Sequence, residues 1–194
     1  MPLHDAVLAK DSQSALRILS EGADVNQKDS LGRTPLLLAV EKGDVNMALA
    51  LLQAGADINA RAKNKDPPWL LAGASGRTGI IRAMIPLGPD LSVRNRFGGN
   101  ALIPACERGH VATVELLLTT EIDVDHVNDL GWTCLLEAVI LGDGGKAHQD
   151  IVKLVLDKGA KPNLADKDGV TPLAHAKARG QKEIAKLIRA AGGK

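Results

Sequence analysis

Apolar residues return along the chain in a fixed phase. Leu3, Leu36, Trp69, Leu102 and Leu135 stand 33 residues apart, Leu173 follows 38 later, and an alanine lies three positions beyond each, at Ala6, Ala39, Ala72, Ala105, Ala138 and Ala176. The pattern predicts a first helix of about nine residues that stops near Gly43, Gly109, Gly142 or Gly180. A second helix, such as Val111 to Leu118, then returns antiparallel and ends near a glycine such as Gly55 or Gly159. Neither helix is long enough to hold by itself, so the apolar faces must be buried between neighbouring units. The leucine ladder and Trp69 are therefore expected in the core, with the alanines where helices pass closely.

Whole segments repeat in the same phase. "DSLGRTPLLLAVEKGDVNMALALLQAGADIN" from 29 recurs in outline from 62, 95, 128 and 166, and the first unit keeps phase although its opening turn is missing. Six units result, at approximately 1–28, 29–61, 62–94, 95–127, 128–165 and 166–194, read as one repeat domain over 1–194. In "GRTPL", Gly32 supplies the positive φ of a turn, Thr34 caps the helix, and Pro35 takes the first helical position, where its missing N–H costs little. Thr171-Pro172 repeats the device, and Thr133 and Asn100 are expected caps without the proline.

The blocks G-x-T-P-L-x-x-A-x-x-x-G and L-L-x-x-G-A-D-x-N at this period resemble the ankyrin repeat family over essentially the whole chain. "NRFGGNALIPACERGH" and "GWTCLLEAVILGDGG" are similar to small stand-alone bacterial ankyrin proteins, a likeness that adds no reaction. The resemblance implies an all-α solenoid of antiparallel helix pairs joined by β-turns or short β-hairpin loops, right-handed and slightly curved, with terminal units as caps.

Composition narrows the function classes. The chain is 45% hydrophobic but only 2% aromatic, and 24 Lys and Arg against 23 Asp and Glu leave a net charge of +1. That balance gives no bulk attraction for nucleic acid or an anionic membrane. The scattered cations Lys63, Arg94, Arg96 and Arg108 are interrupted by Asp66, Glu107, Asp123 and Asp129, so no nucleic-acid partner is expected. No apolar run approaches the roughly 18 residues of a membrane span. Cys106 and Cys134 make no disulfide framework, and a reduced, cytoplasmic setting is the simplest reading.

Candidate chemistry mostly dissolves into the repeat. In "LLAGASGRTG", Gly73, Gly76 and Gly79 suggest a dinucleotide loop, but Gly76 lies in phase with Gly43 and Gly109, and Pro67-Pro68 stands where a strand would have to form. Ser75 lacks the surroundings of a hydrolase nucleophile. Cys106, Cys134 and His110 lack the converging ligands of a zinc site, because His110 occupies the helix-start position of Asp11 and Asp44. His4, His126 and His148 form no metal motif, His175 reads as a partly exposed helix residue, and Glu107, Glu137 and Asp143 read as solvent-facing helix or loop charges. No catalytic residue, metal or cofactor is expected, and the chain reads as a non-enzymatic interaction module.

The resemblance further implies that turn tips and the exposed parts of first helices form a concave binding surface. Carried onto this chain, it takes Ser30, Leu31, Arg33, Glu41 and Lys42 from the second unit, and Lys63, Asn64, Asp66, Ala74 and Ser75 from the third. The fourth gives Arg96, Phe97, Gly99, Glu107 and Arg108; the fifth gives Asp129, Leu130, Trp132, Ile140 and Leu141. The last gives Lys167, Asp168, Val170, Ala178 and Arg179. Apolar candidates concentrate at Phe97, Leu130, Trp132, Ile140 and Leu141, with Arg96, Glu107, Arg108 and Asp129 as a rim. An unidentified protein partner anchored on these aromatics is the leading expectation. Burial of Trp132 against its own turn, burial of the same patch in a homodimer, and an enzyme pocket near the third unit are the alternatives.

Two irregularities remain. Five residues are inserted around "GDGGKAHQD", read as tolerated loop variation in preference to a second contact site. Gly73 and Gly79 each lower helix stability by roughly 1 kcal/mol relative to Ala, so the third unit is expected to open more readily than its neighbours.

Overall fold

The computed structural model describes residues 2–63 and 66–194, so Asn64 lies outside the described residues. Helices follow in pairs: α1 (Leu3–Leu8) and α2 (Ser12–Ser20), α3 (Pro35–Lys42) and α4 (Val45–Gln53), α5 (Pro68–Ala74) and α6 (Thr78–Met84), the last continued by a 3-10 turn, Ile85–Leu87. Then come α7 (Leu102–Glu107) and α8 (Val111–Leu117), α9 (Cys134–Ile140) and α10 (Lys146–Asp157), and α11 (Pro172–Ala178) and α12 (Lys182–Ala190). Among the described residues there is no β-strand.

The expected caps are in place. The Thr34, Thr133 and Thr171 hydroxyls accept from the N–H groups of Leu37 (3.2 Å), Leu136 (3.2 Å) and Ala174 (3.3 Å). Asn100 accepts from Leu102 and Ile103, and Asp11 and Asp44 hold the second helices by accepting from Ser14 and Met47, both at 3.0 Å. First helices are shorter than expected, at six to eight residues. In α3 the reason is explicit: the capping Thr34 and the left-handed Gly43 leave only eight positions between them.

Two compact bodies are present. The first comprises Met1–Ala72 and Arg77–Asp90; within it α1 packs on α2 and α3, and α4 on α2, α3 and α6. The second comprises Gly73–Gly76 and Leu91–Lys194; there α7 packs on α8 and α9, α9 on α10 and α11, and α12 on α10 and α11. The ladder Leu3, Leu36, Trp69, Leu102, Leu135 and Leu173 is at most 2% exposed, and its six alanines are sealed completely.

A second ladder runs along the long loops. The side chains of Asn26 and Asn59 accept from the N–H groups of Asp57 (2.8 Å) and Asp90 (3.2 Å) in the first body. Asp125 and Asn163 do the same for Lys161 (2.9 Å) and Lys194 (2.7 Å) in the second. Within each body the third position of the D-x-N phase thus joins one long loop to the next.

The two cysteines depart from the expected reduced state. Cys106 and Cys134, each fully buried, form a disulfide between α7 and α9 with Cα atoms 5.5 Å apart. Sequence phase hid this pairing because the two residues are 28 apart and occupy different positions of their repeats. Gly73 and Ala101 occupy those same two positions one unit earlier. A Cβ on Gly73 would lie 2.8 Å from the Ala101 carbonyl oxygen, so the backbone approach at this place one unit earlier leaves no room for a side chain at 73. Gly79 has no such constraint: its Cβ would meet Val45 at an ordinary 3.4 Å.

The inserted residues lengthen a helix. Helix α10 has 12 residues where α8 has seven, and the loop before it is pinned on several sides. The Gly142 carbonyl accepts from Arg179 and Gln181, and the His148 ring bonds Asp143 through Nδ1 (2.8 Å) and the Glu107 carbonyl through Nε2 (3.0 Å). Bonds from the Gly145 N–H and then His148 hold the Asp143 carboxyl below its ordinary range.

Candidate protein-binding face

Four turn tips carry a side-chain clamp. Asn95 Oδ1 accepts from the N–H groups of Phe97 and Gly99, both at 2.9 Å, and Asn128 Oδ1 accepts from Leu130 and Trp132, both at 3.0 Å. Asp29 and Asp166 do the same for Leu31 and Arg33, and for Asp168 and Val170. Backbone bonds close each loop, as in Asn128 N–H to Trp132 O at 3.0 Å. An Asx side chain that satisfies two N–H groups holds the turn around the positive-φ glycine between them, Gly32, Gly98, Gly131 or Gly169. In the third unit Ala62 stands at the clamp position and has no acceptor to offer. The clamp residues were not singled out from sequence, although Asp29, Asn95, Asn128 and Asp166 share one repeat phase.

In the second body the turns are also joined to each other, Asp129 N–H donating to Phe97 O at 2.9 Å. Phe97 (51%), Leu130 (49%) and Leu141 (48%) are exposed, while Trp132 and Ile140 are half-buried. Trp132 is thus neither sealed against its turn nor fully presented. Arg96 lies over the Phe97 ring, 4.8 Å from its centroid, and Arg108 donates to Ala74 O at 2.7 Å. The exposed Asp129 receives Lys167 on its carbonyl. Arg94 is folded onto the carbonyls of Leu91 and Val93. Leu31, 56% exposed, and Arg33, paired with Asp29 at 2.8 Å and Glu41 at 3.8 Å, belong to the first body.

Three histidines bond carbonyls far away in sequence, two of them, His4 and His148, linking neighbouring units. His4 bonds the carbonyl of Arg33 at 3.0 Å, His126 that of Gly98 at 2.6 Å, and His148 that of Glu107. His175 pairs with Asp166 at 2.7 Å and is the main reason that carboxyl sits below its usual range. Among the described residues no group of three His, Cys, Asp or Glu is placed to hold a metal, and no helix is long and apolar enough to cross a membrane.

Glu137 corrects the expectation of a solvent-facing charge. It is 4% exposed on the first turn of α9. Its Oε1 accepts from Asn128 Nδ2 at 2.8 Å, and its buried Oε2 has no partner. Desolvation, followed by the nearby Glu107 charge, pushes its carboxyl from 4.5 up to about 7. Asn128 thereby ties this carboxylate to the turn that carries Leu130 and Trp132.

Comparison with known proteins follows the same repeat. The ankyrin repeats (3 copies) model matches residues 1–62 and 69–166. The crystal structure of an ankyrin repeat domain from Acinetobacter baumannii AYE is 50% identical and superposes with a TM-score of 0.96, covering 100% of this chain and 98% of that one. The ankyrin repeat protein EF0377 is 43% identical with a TM-score of 0.93, covering 96% of each chain. The Escherichia coli (strain K12) ankyrin repeat protein YahD is 57% identical over 98 residues, and that match spans 50% of this chain and 49% of YahD. With its helix pairs, capped turns and stacked ladder matched over most of its length, the chain belongs to the ankyrin repeat family.

Proposed function

We propose that the chain is a non-enzymatic recognition module whose second body captures a partner protein on its turn tips and first helices. Ankyrin repeats are a general scaffold for protein–protein interaction, and four structurally similar chains share that fold. The observation that carries the reading is the set of exposed apolar side chains Phe97, Leu130 and Leu141, two of them on clamped turns. Trp132 and Ile140 supply half-buried apolar area beside them, and Arg96, Glu107, Arg108 and Asp129 form the rim. Leu31 and Arg33 are assigned the matching role in the first body. Turns already held by hydrogen bonds lose little freedom on binding, so more of the contact energy appears as affinity.

The test is affinity capture with quantitative identification of bound proteins, comparing wild type with Trp132→Ala. Loss of a specific protein with helical content unchanged supports the assignment; an identical bound set removes Trp132 as an anchor. The mass of the purified protein in solution separates this reading from a homodimer that buries the same patch.

A further inference from the structure

The binding face contains one group that works against the stability of its own fold. Glu137 is sealed by its surroundings, yet only one of its two carboxylate oxygens is hydrogen-bonded. A buried polar atom without a partner is uncommon and calls for a cause. The neighbouring charge is Glu107, at the end of α7, so the local field is negative twice over. An apolar residue would fill the position more cheaply: Leu38 of the second unit and Pro104 of the fourth occupy it, both buried.

We propose that Glu137 Oε2 and the Glu107 carboxylate form a subsite for a cationic N–H donor, an arginine or lysine side chain of the partner protein. This deepens the reading of the face as a protein-binding surface and rests on it. An ammonium or guanidinium group supplies what the pair lacks, a hydrogen bond to Oε2 and a positive charge between two negative ones. Glu107 is half-buried and so the more accessible of the two carboxylates. Asn128 Nδ2 holds Oε1, which leaves Oε2 as the oxygen available to a ligand. The same Asn128 fixes the turn of Leu130 and Trp132, so the cation site and the apolar anchors are set by one side chain.

The first probe is n-propylguanidinium, with the neutral isostere n-propylurea as control, followed through the side-chain carboxyl carbon of Glu137 by NMR. The expected result is a saturable shift and a lowered titration midpoint with the cation, neither with the urea, and at least about tenfold weaker binding to Glu137→Gln and Glu107→Gln. Gln at 137 keeps the bond to Asn128, and circular dichroism checks that the variant folds. An unmoved Glu137 signal, or equal binding to all three proteins, overturns the proposal. A second arm selects peptides from a random displayed library on wild type and on Glu137→Gln. A basic residue enriched at one position on wild type alone supports a partner side chain as the ligand. Apolar peptides enriched equally on both proteins overturn the cation subsite while leaving the protein-binding reading standing; disappearance of those peptides only on replacement of Trp132 identifies that reading separately.

Discussion

Reduction of the Cys106–Cys134 bond should weaken the second body by a calculable amount. The bond closes a loop of sequence separation 28 and joins α7 to α9. In the chain-entropy model such a loop removes about 12 cal/mol/K from the unfolded chain, or about 3.6 kcal/mol at 25 °C. On this entropic account the difference lies in the unfolded chain, which the cross-link no longer constrains, and the separation of two sealed sulfurs into thiols adds to the loss. The assay compares oxidised wild type with the same protein reduced by a water-soluble phosphine, by urea unfolding and by amide exchange. The urea midpoint should fall, and exchange in α7 and α9 should accelerate while α3 and α4 are unaffected, because repeats couple through nearest neighbours. Two titratable thiols in the unreduced, unfolded protein would refute the cross-link. Unchanged stability after verified reduction would refute the entropic argument.

Other outcomes follow from particular side chains. Gly73→Ala should destabilise, since its Cβ would stand 2.8 Å from a backbone oxygen, whereas Gly79→Ala should be neutral or stabilising by up to about 1 kcal/mol; thermal melts of the pair check this. Helices α5 and α6, preceded by a turn with Ala62 at the clamp position, should exchange their amides faster than α3 and α4; equal protection would count against it. Glu137 is raised from 4.5 to about 7 on folding, so the folded chain retains a proton that the unfolded chain has lost. Its contribution is therefore most favourable below 4.5 and declines as pH rises towards about 7, by at most about 1.4 kcal/mol per pH unit. Glu137→Gln should abolish that decline and be the more stable protein above pH 7 or so, as read from urea midpoints against pH.

Sequence and structure meet most closely where one residue type does one local job. The leucine and alanine ladder, the threonine caps and the helix-starting aspartates are legible from phase alone because the same residue type recurs at the same repeat position. Features that depend on how units stack could not. Cys106 and Cys134 hold unlike positions in their repeats, and only the close pass of α7 and α9 makes them partners. The equivalent approach one unit earlier, of Gly73 to Ala101, explains a glycine that reads as a weakness of the third unit. Glu137 reads as a charge on a helix surface until Asn128 and the neighbouring helix enclose it. For the inserted residues, loop composition reads as tolerated variation of a turn, but α10 is longer than α8 and the polar groups before it are taken up by His148, Arg179 and Gln181. The Asx clamps were visible as a phase without being recognised, since the bonds they make span two and four residues within a turn.

The central claim is that binding resides on the clamped turns of the second body and not on exposed apolar side chains in general. Affinity for the captured partner should therefore be measured for Phe97→Ala/Leu130→Ala against Leu16→Ala/Leu87→Ala, which removes comparably exposed leucines elsewhere. The account predicts a loss of about tenfold or more for the first pair and almost none for the second. Equal affinities for the two double variants, or a larger loss from the second, would contradict it.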